Sequence, residues 1–163
     1  MFYQALSGVS FTLLGLWFGV IQFAHGGWRS DPARHRAALH IALHFFLPGT
    51  MAMGALLAGN SDGGLLWRVA FVLGGVIGCA ESVAFLAVRS GVPGFGVSAL
   101  QLLDPLLYAL VVLVAFVPAP VGVLTPLQLE GVVTGLLFLT GLCYVWLAFA
   151  ERERPGPQRV PRP

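Results

Sequence analysis

Apolar and polar positions along this chain fall into long blocks rather than short alternations. Five blocks stay apolar over the roughly 20 residues needed to cross a bilayer core. They run from Phe2 to about Phe23, about Ala37 to Ala58, Leu65 to Val88, about Ala99 to Val117, and about Leu127 to Ala150. The links between them are short, so the pattern predicts an all-α polytopic membrane protein of five transmembrane helices, neighbours packed antiparallel in one domain over residues 1–150. Residues 151–163, rich in Pro and Arg, read as a disordered cytoplasmic tail.

The third block breaks its own rule. Glu81 sits inside it with no basic residue within a helical turn. A carboxylate at membrane depth costs about 2.5–3.5 kcal/mol on insertion scales. It shares a helix face with Gly74 and Gly78. That face therefore turns toward protein, and no helix cap explains the acid.

Composition supports the membrane reading. The 163 residues are 57% hydrophobic and 10% charged, where soluble domains carry about 25% charge. The first block has no basic residue before it, so it is expected to be a retained span rather than a cleaved leader. The two cysteines, Cys79 and Cys143, lie in apolar blocks with no CxxC spacing and read as small apolar residues.

Charge sets the expected orientation. Of nine arginines, eight lie in the first link, the third link and the tail, and only Arg68 lies elsewhere. The positive-inside rule then puts the N-terminus outside and the C-terminus inside. With nine Arg and no Lys, a bacterial cytoplasmic (inner) membrane is the expected location. Basic character confined to the inner loop and tail suits anionic lipid headgroups and not nucleic acid.

Helix starts are legible at Asp31-Pro32, Ser98-x-x-Gln101 and Thr125-Pro126-x-Gln128. Asp104-Pro105 is ambiguous. Asp104 either caps a short fourth helix or lies inside a longer one. In the first span Gln4, Gly8, Thr12, Gly15, Gly19, Gln22 and Gly26 recur every three or four residues. This small-and-polar stripe is expected to pack helices or to wall a pore.

In this orientation Glu81, His44 and Asp104 fall at similar heights in the inner half of the bilayer. Arg36, His40, His44 and Pro48 share one face of the second span, where they line a vestibule or snorkel to water. An offset near 60 residues between the second-third and fourth-fifth spans also sets His44 opposite Asp104. Histidine with carboxylates is a set suited to proton relay or cation binding. Gln101, Tyr108 and Tyr144 are candidates to hydrogen-bond to it. Arg68 and Glu130, near the outer ends of their spans, are a candidate ion pair.

No phosphate loop, zinc-protease motif or nucleophile elbow is present. Haem needs two facing imidazoles, and all four histidines lie between His25 and His44. The expectation is a non-enzymatic channel or secondary transporter for protons or cations, a homo-oligomer in the lipid bilayer, without metal or cofactor. The alternative is an accessory or assembly subunit of a larger membrane complex.

Overall fold

The computed structural model describes residues 1–24, 28, 31–58, 64–88 and 95–150. The tail, Arg29, Arg89, His25, Gly26 and the side chain of Ser98 lie outside the described residues. The chain is all-helical: α1 Phe2–Ala24, α2 Pro32–Ala58, α3 Leu65–Val88, α4 Phe95–Ala115 and α5 Pro126–Ala150. Four of these are long and apolar enough to cross a membrane. The expected fourth span is the shorter one. Its apolar stretch covers Ala99–Ala115, and the helix closes in a tight turn, with Phe116 N–H donating to Leu113 O at 3.1 Å and Val117 N–H to Val114 O at 3.0 Å.

The starts follow local chemistry. Asp31 Oδ1 accepts from Ala33 N–H at 3.0 Å and Arg34 N–H at 3.4 Å, so α2 begins at Pro32, ahead of its apolar run. Thr125 and Gln128 close a reciprocal capping box, with Gln128 N–H on Thr125 Oγ1 at 3.2 Å and Thr125 N–H on Gln128 Oε1 at 2.9 Å. The turn between α4 and α5 is pinned by paired Val121 and Leu124, with Gly122 at φ +61°.

Helices α2, α3, α4 and α5 close into a ring, each packed on the next and α5 back on α2. Helix α1 lies outside the ring, mainly against α2. Close approaches fix antiparallel neighbours: Gly54 meets Ala70 while Gly74 meets Met51, and Gly75 meets Val112 while Gly78 meets Tyr108. A Cβ on Gly78 would stand 2.2 Å from the Tyr108 ring. That missing atom is what lets α3 and α4 touch.

Polarity is inverted relative to a water-soluble bundle. His40, His44, Ser82, Asp104, Glu130 and Thr134 are buried, whereas Leu57, Leu73, Leu113 and Phe116 face outward. An apolar exterior around a partly polar interior is the arrangement lipid favours. The tryptophans divide. Trp17, Trp28 and Trp67 are buried and only Trp146 is exposed. Trp17 Nε1–H donates to Ala38 O at 3.0 Å and its ring meets Trp28 edge-on, tying α1 to the ring.

Candidate functional site

The polar residues meet at the centre of the ring. Helices α2 and α4 occupy opposite corners, and their polar side chains bridge the gap. His40 and His44 are one turn apart on α2, hence on one face. Asp104 comes from α4, Glu81 from α3 and Tyr144 from α5.

The contacts form an unbroken chain. His40 Nδ1 lies 2.5 Å from Glu81 Oε2, and His40 Nε2 lies 3.2 Å from Asp104 Oδ2. Tyr144 O–H donates to the same Asp104 Oδ2 at 2.6 Å. His44 Nε2 lies 3.2 Å from Asp104 Oδ1, but the alignment is not that of a hydrogen bond and both atoms are without a protein hydrogen-bond partner. The side chains of His40, His44 and Asp104 are 1% exposed, while that of Glu81 is 16% exposed. Glu81 is therefore the edge of the cluster and the other three are its interior.

Packing holds these groups in place. The Phe85 ring stacks on His40 at 4.1 Å and 6°, and Tyr144 packs edge-on against both imidazoles. Gly141, one turn before Tyr144, leaves room for His44, because a Cβ there would lie 2.8 Å from His44 Cβ. Pro48 has no N–H for the His44 carbonyl, and Pro105 none for that of Gln101, so both helices carry a local break beside the cluster.

The structure decides several expectations. Asp104 is inside α4, nine residues past Phe95 in the chain, and is not an N-cap. His44, Asp104 and Glu81 do converge, with His40 as the hub between the two acids. The stripe from Arg36 to Pro48 does not open as a vestibule, since His40, His44 and Pro48 are buried among the other helices. Tyr108 is buried at the cluster edge, its ring 5.8 Å from His44, but its hydroxyl has no hydrogen-bond partner. Gln101 is buried with its Nε2 unpartnered.

The glycine stripes separate by role. Gly74 and Gly78 are tight packing positions, whereas Gly8, Gly15 and Gly19 have open space where a Cβ would stand. Thr12 is exposed and donates to Gly8 O at 2.8 Å. Among the described residues, Gly8, Gly15 and Gly19 thus have no neighbour packed against them.

Arg68 and Glu130 do not form the expected ion pair. Arg68 Nη2 donates to Val117 O at 3.1 Å, Nη1 donates to Ala115 O, and the guanidinium lies 4.6 Å from the centre of the Trp67 ring. The carbonyls left over where α4 ends outcompete the acid for the guanidinium. Glu130 is fully buried and neither carboxyl oxygen has a hydrogen-bond partner.

Phe85 and Gly141 were not singled out from the sequence. The signal is present, since Phe85 lies one turn from Glu81 and Gly141 one turn from Tyr144 on the same helix faces. Comparison with family models, curated proteins and solved structures finds no match to this chain.

Proposed function

We propose that the protein is a small multi-pass channel or secondary transporter for protons or cations, with Glu81, His40, Asp104 and His44 as its ion path. The observation that supports this is the continuous polar chain from mostly buried Glu81, through His40, to Asp104 and His44 in an otherwise apolar bundle. Ionisable groups at membrane depth are costly to insert and are kept where they carry ions or protons. A histidine between two carboxylates can pass a proton from one to the other. The arginine distribution supports an outside N-terminus and an inside C-terminus in a bacterial cytoplasmic membrane, which sets Glu81 toward the inner side.

Purified protein in liposomes tests this reading through proton and cation flux. Glu81→Gln and His44→Ala are expected to abolish most of the flux. Flux equal to wild type in both variants overturns the site assignment.

A second reading rests on the outward face of α1. Gly8, Thr12, Gly15 and Gly19 form a surface that lets another helix approach closely. This supports assembly with further copies or with a larger complex. Native mass measurement in mild detergent separates a homo-oligomer from a stoichiometric complex with other subunits.

A further inference from the structure

We propose that His40, His44 and Asp104 form a binding site for one divalent transition-metal ion of the zinc class, with Glu81 and Tyr144 supporting it from behind. The inference rests on the reading of this cluster as the place where the chain handles cations, and it names the kind of cation. The sequence alone gave no expectation of a metal.

His44 Nδ1 lies 2.9 Å from the carbonyl oxygen of His40. A carbonyl only accepts, so Nδ1 carries the hydrogen. In neutral His44 the lone pair is then on Nε2, which points at Asp104 Oδ1 from 3.2 Å. Two acceptors face each other, both buried and both without a protein hydrogen-bond partner. A cation shared by both atoms, a proton or a metal ion, satisfies such a pair.

His40 repeats the arrangement. Its Nδ1 faces the Glu81 carboxylate at 2.5 Å, and its Nε2 lies 3.2 Å from Asp104 Oδ2, within 4.8 Å of the other two donor atoms. A carboxylate on the far nitrogen of an imidazole fixes the tautomer that leaves the near nitrogen free to ligate. Tyr144 O–H holds Asp104 through Oδ2, leaving Oδ1 free. His44 and Asp104 thus each have one atom available and the other engaged behind it, while His40 would give up its contact with Asp104 Oδ2 to ligate through Nε2.

The spacing fits. The three donor atoms lie within 4.8 Å of one another. Ligands at about 2.0–2.1 Å from a tetrahedral zinc stand about 3.3 Å apart. The 3.2 Å separation of His44 Nε2 from Asp104 Oδ1 matches that edge, and His40 Nε2 stands 3.2 Å from the other oxygen of the same carboxylate. Charge also balances, because the two carboxylates of Asp104 and Glu81 offset a dication in a region of low dielectric. Two imidazoles and one carboxylate select zinc or cobalt over calcium and magnesium, which take oxygen ligands in larger number.

The test is Co2+ titration of the full chain, purified in detergent without a histidine tag, followed by displacement with Zn2+. The expected result is one Co2+ per chain, the intense visible absorption of four-coordinate Co2+, and its loss on adding Zn2+. Asp104→Asn and His44→Gln are each expected to lower affinity by more than 100-fold. Glu81→Gln, which keeps all three ligands, is expected to lower it about 10–100-fold. Helical circular dichroism checks that each variant folds. If a variant does not fold, the wild-type titration decides alone, and absence of the absorption overturns the proposal. Binding that is unchanged in folded Asp104→Asn and His44→Gln also overturns it. Cluster-dependent proton flux without Co2+ binding refutes the metal site and leaves the transport reading intact. Co2+ binding without any flux does the reverse.

Discussion

Gly78→Ala measures how tightly the ring of helices is closed. A Cβ at residue 78 would stand 2.2 Å from Tyr108 Cε1, 2.3 Å from Cδ1 and 2.5 Å from Cζ. Carbon atoms in ordinary contact sit about 3.5–4.0 Å apart, so ring and helix must separate by more than 1 Å. The ring has nowhere to go. Tyr108 is 1% exposed, backed by fully buried Val111 and by His44. Overpacking a filled core costs about 1–3 kcal/mol, and this clash, against an aromatic face rather than a flexible tip, lies at the upper end. Alanine recovers about 0.8–1.0 kcal/mol over glycine in helix propensity. The net expectation is a destabilisation of about 2 kcal/mol. Unfolding of the purified protein by SDS titration in mixed micelles reads this directly. Gly15→Ala is the control, since nothing lies within 4 Å of the added atom. If Gly78→Ala unfolds at the wild-type SDS fraction, or Gly15→Ala loses as much as Gly78→Ala, the packing argument is wrong.

Three further outcomes follow from the same contacts. Tyr144→Phe keeps the ring that packs on both imidazoles and removes the 2.6 Å bond to Asp104; a loss of about 1.5 kcal/mol in the same unfolding assay is expected. Glu130→Gln removes a buried acid that has no hydrogen-bond partner, so stability should be unchanged or higher, and a clear loss would reveal a pair with Arg68. Thr125→Ala opens the capping box at the start of α5 and should cost about 1 kcal/mol, with fraying of α5 visible by amide hydrogen exchange.

Five helices were legible because each announces itself in one variable, apolar length, and because local caps mark two of the starts. The boundaries of α2 and α4 moved for local reasons. The Asp31 cap starts α2 ahead of its apolar stretch, and a tight turn ends α4 at Ala115. The polar cluster was legible in its members and not in its wiring. Depth along a helix follows from rise per residue, so His44, Asp104 and Glu81 could be set level. Which of two neighbouring histidines would sit between the acids depends on helix rotation, and His40 took that place because α3 and α5 flank it. Arg68 shows the limit in another way. A guanidinium near a helix terminus has carbonyls to choose as well as carboxylates, and charge pairing read from sequence ignores them.

The order of the cluster along the chain bears on how the protein enters a membrane. His40 and His44 lie on α2, Glu81 on the next helix and Asp104 on the one after. Each acid is thus made after the base it will meet. Helix α3 would be expensive to partition alone with a bare carboxylate, but α2 and α3 can cross together as a hairpin with His40 already against Glu81. When α4 follows, Asp104 finds both imidazoles in place, and Tyr144 on α5 closes the set last. The ionisable residues of the cluster are therefore never required to enter lipid without a partner at hand.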